Sequence, residues 1–232
     1  MEKLILCLAF LLFTFNTAVA DMVDMPSTDP GLPPIKHKQM ETGKVTRVSK
    51  DELPADMKKF IDDRTIAEKE KGYEATPEDF FTASAGYHSY LQQESNLKPK
   101  IAVALSDISA TELKGYVYEG IIPEGPIMGG PYTKVTRVFK RQDDVVVMLT
   151  EWDYVADGGA ILAINEMMNI KVGNVPGIIT IKKSPSGKTM TDLHWSTVKK
   201  DFNISVWEDV DKKQKGKEYG RKWLLNLAET LR

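Results

Sequence analysis

Val175-Pro-Gly-Ile-Ile-Thr-Ile-Lys-Lys183, Ser184-Pro-Ser-Gly-Lys188 and Thr189-Met-Thr-Asp-Leu-His-Trp-Ser196 follow one another near the end of the chain. Val198-Lys-Lys-Asp201 and Phe202-Asn-Ile-Ser-Val-Trp-Glu208 come next. Pro185 presets φ for a reversal and Gly187 tolerates the positive φ a tight turn needs, so the spacing predicts three strands joined by two turns. Side chains alternate along a strand, which puts Leu193 and Trp195 on one face of the middle strand and Met190, Asp192 and His194 on the other. The expected core face is that of Leu193 and Trp195, and Trp207 falls on the less buried side of the last strand. From Glu218 the period becomes helical, with Tyr219, Trp223, Leu224, Leu227, Ala228 and Leu231 in one apolar stripe. A helix so patterned should lie across the strands. Burying its large side chains contributes about 1.5–3 kcal/mol each, enough to make it a core element.

Working outward, the expected fold class is α+β: an antiparallel meander of six or seven strands, helices on at least one face, and a C-terminal amphipathic helix. Residues 44–232 are read as one domain, with a helical part over 44–95 and the sheet plus final helix over 100–232. Within it, Lys44–Val48 is expected as an edge strand. Leu53–Lys71 is expected as a helix burying Met57, Phe60, Ile61 and Ile66, stopped by Gly72. Thr76-Pro-Glu-Asp79 has the composition of a helix start and predicts a helix to about Gln93. Strands are expected over Ile101–Ile108, Gly115–Ile122, Thr133–Arg141 and Val145–Trp152. For Ala156–Asn169 a helix is favoured, although Ala160–Ile164 fits a strand equally well. The expected core comprises Phe80, Tyr87, Val135, Val146, Met148, Ile179, Ile181, Leu193, Trp195, Ile204, Trp223 and Leu227.

Met1–Ala20 has a charged start at Lys3, an apolar run from Leu4 to Phe15, and Ala18-Val-Ala20 at its end, the pattern a signal peptidase cleaves. The run is about a dozen residues, short of the roughly 20 that span a bilayer, and no later segment qualifies. The only cysteine is Cys7, so a chain beginning at Asp21 would have neither disulfide nor thiol nucleophile. The expected location is periplasmic or secreted. Residues 21–43 carry Pro26, Pro30, Pro33 and Pro34 and read as an extended, flexible lead. A net charge of −2 gives no footprint for nucleic acid.

Motifs with chemistry are sparse. Ser186-Gly-Lys-Thr189 ends like a phosphate-binding loop but lacks the upstream glycine and is followed by a strand. Ser196-Thr-Val-Lys199 has serine–lysine spacing but falls in a hairpin, not on a helical turn. His37, His88 and His194 show no metal-ligand spacing. Asp143, Asp144, Glu151 and Asp153 sit at turns and strand ends, and no catalytic residue is assigned. No metal ligand is assigned either, although Met22, Met25, His37 and Met40 are donors of the soft kind Cu(I) prefers. The loop Pro123–Pro131 carries Ile127 and Met128 at its tip. With Trp152 and Trp207 these are the candidate contact residues for an envelope protein or a small apolar ligand. The leading reading is an exported, non-enzymatic accessory or binding protein with no cofactor. The alternatives are an exported enzyme of hydrolase type whose site is assembled from sequence-distant residues and, ranked behind it, a copper-binding protein acting through the N-terminal Met/His lead.

Overall fold

The computed structural model describes residues 41–124, 131–212 and 219–231. Its fold is α+β. Ten strands are described: β1 (Val45–Val48), β2 (Glu74–Ala75), β3 (Val117–Glu124), β4 (Lys134–Lys140), β5 (Val146–Trp152), β6 (Ile161–Ile164), β7 (Ile170–Val172), β8 (Val175–Lys183), β9 (Thr189–Ser196) and β10 (Asp201–Val206). The α-helices are α1 (Ala55–Lys71), α2 (Glu78–Ala85), α3 (Glu94–Leu97) and α4 (Arg221–Thr230). Two antiparallel meanders, β3-β4-β5 and β8-β9-β10, join through antiparallel pairing of β5 with β10. β7 and β2 flank β8, completing an eight-stranded sheet, and β1 and β6 form a separate parallel pair.

Both meanders turn where the sequence allows it. Gly187 has φ +89°, and Asp144, with φ +66°, is the one non-glycine residue in the left-handed region among the described residues. At the bulge in β3, a Cβ on Gly120 would lie 2.8 Å from the carbonyl oxygen of Gln92, so only glycine permits this approach. Gln92 and Ile121 exchange both backbone hydrogen bonds there.

One face of the sheet is apolar. Ile179, Leu193, Ile204 and Leu149 lie opposite one another across four strands, and Trp195 stacks on Phe202 at 4.9 Å. Trp223, Leu224, Leu227 and Ala228 of α4, with Leu231 just after it, close this face as expected. Buried Arg141 pins the helix start: its guanidinium lies 3.7 Å from the Tyr219 ring centroid and bonds Asp143 and Glu208.

The opposite face is buried too, contrary to the one-sided reading of β9. Met190, Asp192 and His194 are all buried, beneath the layer made by α1, α2 and the β1–β6 pair. Several local expectations are corrected with it. β5 buries Val147 and Leu149, leaving Val146 and Met148 half-buried, and Phe80 is likewise half-buried. On α1 only Ile61 is buried; Phe60 and Ile66 are exposed and Met57 is half-buried. Thr76 does not cap α2, its hydroxyl bonding Glu74 instead. That helix ends at Ala85, tightens into a 3-10 turn over Gly86–Tyr90 and gives way to the pairing with β3.

Residues 101–108 form no strand beyond an isolated bridge at Ile101. Their backbone groups are met by Tyr132 and by the Lys200 and Arg137 side chains instead of a ladder. Residues 161–164 are a strand and not a helix, because β1, over a hundred residues earlier, supplies a partner that local periodicity cannot reveal. Residues 1–40, with the expected signal and most of the lead, lie outside the described residues.

Replacing Leu227 with alanine should cost about 2–5 kcal/mol, since it removes a buried side chain from the α4–sheet contact. The same change at exposed Ile66 should stay within about 0.5 kcal/mol. Urea unfolding of the two variants measures both, and equal losses would contradict this burial.

Candidate functional site

Alternation along β9 and β10 sets Asp192, His194 and Ser196 beside Asp201, Asn203 and Ser205 on the face away from α4. A buried row of polar groups must be hydrogen-bonded to be tolerated. Lys182 donates to Asp192 at 2.6 Å, and Ser205 donates to the same carboxylate. Nε2 of His194 lies 2.7 Å from Oδ1 of Asp201, and Ser196 donates to that oxygen at 2.5 Å. Burial works against a charge on His194, but the neighbouring Asp201 carboxylate, its hydrogen bond and Asp192 outweigh that and raise the imidazole above its usual 6.5. The Ser196 hydroxyl is directed to Asp201, so it is not paired with the imidazole as a serine nucleophile would be.

A cavity of about 40 Å³ opens above this row. Its floor comes from Pro176, Gly177, Ile178, His194, Trp195 and Ser196, and its walls from Ile161–Ile164, Met167, Met168 and Arg64. Arg64 is held by Glu68 at 3.0 Å, by Glu74 at 3.4 Å and by Thr180.

A second charge centre lies on the α4 face. Glu151 is fully buried. It accepts from Arg137 at 2.6 Å, from Lys200 at 2.9 Å, and from the amide and hydroxyl of Ser106 at 2.9 and 2.7 Å. Burial opposes its charge, but Arg137, Lys200 and these hydrogen bonds prevail and hold the carboxyl below its usual 4.5. Ser106 also donates to the carbonyl of Leu231, so the centre fastens the end of the helix to the sheet.

Of the sequence-derived contact candidates, Trp152 and Trp207 fall among the described residues. Trp152 is 7 % exposed, donates to Asp157 at 3.2 Å and packs against Tyr154, so it offers little surface. Trp207 is half-buried with its ring edge-on to Tyr87 at 5.8 Å, and its indole N–H has no partner among the described residues. Ile127, Met128, Met22, Met25, His37 and Met40 lie outside the described residues. His88 is exposed beside Tyr87. Asp143 and Asp144 serve Arg141 and Lys140, and Asp153 accepts from the amide of Ala156.

Sequence reasoning missed the Glu151 centre and the Arg64–His194 cavity. A partial signal was present: two adjoining strands with polar residues in step on one face mark a row that is either solvated or internally paired. Comparison with protein-family models, curated proteins and solved structures gives no match. Among the described residues, no helix is long and apolar enough to cross a membrane.

Glu151→Gln should cost about 3–5 kcal/mol at pH 7, because Arg137 stays buried without its counter-charge. The folded-state pKa of Glu151 is depressed, so its contribution is full above the unfolded value of 4.5 and is lost as pH falls through the folded value. The gap between wild type and variant in denaturant unfolding should therefore narrow below pH 4.5. A gap that widens there would contradict the assignment.

Proposed function

We propose that this chain is an exported, non-enzymatic accessory or binding protein of the cell envelope that works through contact with a protein partner. One observation carries the reading: the buried charges are engaged in holding the fold. Glu151 links Arg137, Lys200 and Ser106, Arg141 links Asp143 and Glu208, and Lys182 is matched to Asp192. Such groups suit a rigid scaffold that presents a surface. The small cavity favours a protein over an apolar small molecule, since an apolar cavity takes up benzene at roughly 150 Å³.

The contact surface in this reading is the outer flank of β3, together with Ile127 and Met128, which follow it in the sequence. Tyr90, Val117 and Tyr118 are exposed there, and Gln92, two residues beyond Tyr90, pairs with Ile121 of β3. Ile127 and Met128 follow β3 in the sequence, outside the described residues. Exposed aromatic and aliphatic side chains in one region supply desolvation and anchoring for a partner.

Crosslinking of the protein in its native envelope, followed by mass spectrometry, should identify the partner. Replacing Ile127 and Met128 with serine should then weaken its capture at least tenfold while the melting temperature stays within a degree or two. Unchanged capture, or a large fall in melting temperature, counts against this contact surface. Robust turnover of hydrolase substrates would overturn the non-enzymatic reading.

A further inference from the structure

Tyr90 and Val117, on the flank of β3, are 66 % and 65 % exposed, and Tyr118 is 40 % exposed. The segments that carry them are fixed. Gln92 and Ile121 exchange backbone hydrogen bonds at 2.9 and 3.0 Å, which docks the Tyr90 segment on the strand, and the Tyr118 hydroxyl donates to Glu94 at 2.8 Å. Side chains held before binding lose less freedom on association. A partner does not read this edge by adding a strand at its centre. Gln92 already takes the backbone groups of Ile121, and Pro123 has no N–H to offer. Recognition here falls to side chains.

The carboxylates among these rings lack counter-charges. Glu94 accepts from Tyr118, Glu119 from Tyr87 at 2.8 Å, and Glu112 from the Trp223 indole at 2.5 Å and Tyr116 at 3.4 Å. All of these donors are neutral, and none of the three carboxylates forms a salt bridge among the described residues. Burial, and then Glu94, push the Tyr118 hydroxyl above its usual 10.0, so it stays a donor. Lysines nearby do not fill the gap: Lys140 is matched to Asp144 at 2.8 Å, which leaves Lys114 ahead of β3 and Lys98 after α3. An apolar partner side chain would desolvate the carboxylates and leave them unpaired. A guanidinium satisfies both features, because it stacks on an aromatic face and forks onto a carboxylate, whereas an ammonium is a point charge without the fork. The same constellation is built into the fold, where Arg141 lies 3.7 Å from the Tyr219 ring centroid while bonding Asp143 at 2.8 and 2.7 Å.

Resting on the partner-binding reading of this flank, we infer that the surface takes a basic, arginine-bearing segment of a protein partner. Tyr90 and Tyr118 are its aromatic contacts, Glu94 and Glu119 its anionic ones, and Val117 lies against the aliphatic stem of the arginine.

The probe is a short synthetic peptide alternating arginine and leucine, with two controls in which every arginine is replaced by citrulline, which keeps the shape without the charge, or by glutamate. Added to the isotope-labelled full chain, the arginine peptide should shift the amide resonances of Tyr90, Val117 and Tyr118. Glu94→Gln with Glu119→Gln, isosteric changes that leave the tyrosine hydroxyls an acceptor, should weaken its binding by about tenfold. Tyr90→Ala, at an exposed position, should weaken it to a similar extent with the melting temperature unchanged. Raising salt to about 0.5 M should weaken the arginine peptide and spare the citrulline peptide. Equal binding of the citrulline peptide, tighter binding of the glutamate peptide, or shifts confined to other parts of the chain would each overturn the inference. The crosslinked envelope partner separates the two readings. Capture lost in Tyr90→Ala but kept in the double glutamine variant leaves the contact surface standing and removes the arginine assignment, whereas capture lost in both supports it.

Discussion

Pairing of β5 with β10 is the constraint on which the rest of this molecule depends. Each meander alone is three strands with one apolar face, and the residues that join them are about fifty apart in sequence. The loop between them carries β6 to its pairing with β1 and β7 to its pairing with β8. Closing that loop costs chain entropy that is recovered only when both meanders share a continuous apolar face. Leu149 opposite Ile204, and Val147 opposite Val206, sit at that seam under the cover of α4.

The seam also explains the buried charges. Glu151 lies on β5 directly opposite Phe202, at the margin of the apolar face, where an isolated carboxylate would be expensive to bury. Arg137 on the neighbouring strand and Lys200 before β10 both reach it, so its charge is balanced only once β4, β5 and β10 are assembled. Ser106 and the Leu231 carbonyl extend the same cluster to the segment before β3 and the end of α4. Buried ion pairs of this type add little net stability over apolar packing, but they penalise any arrangement that leaves one member alone. They select a register as much as they strengthen it.

Polarity on the second face has a different consequence. Asp192, His194, Ser196, Asp201 and Ser205 form a paired floor between the sheet and the α1, α2 and β1–β6 layer, where other folds would place aliphatic residues. The cavity bounded by Arg64, His194 and the Met167–Met168 turn lies against that polar floor. Scaffold and candidate site therefore arise from the same two strands.

The amino-acid sequence by itself determined the elements whose signals are local. The β8-β9-β10 meander follows from alternation and the Pro185–Gly187 turn, α4 from its apolar stripe, and the end of α1 from Gly72, which takes φ +74° and bonds back to Glu68. The tertiary structure decided whatever needed a distant partner. Residues 161–164 became a strand because β1 pairs with them, residues 101–108 did not because side chains meet their backbone, and β5 turned Leu149 inward because β10 aligned Ile204 with it. The polar pattern of Asp192, His194 and Ser196 was legible as one face of a strand, but its burial was not, because a period of two says which residues share a side and nothing about what covers it. Arg64 and the methionine turn come to that face only through folding over long sequence separations, which no spacing rule encodes.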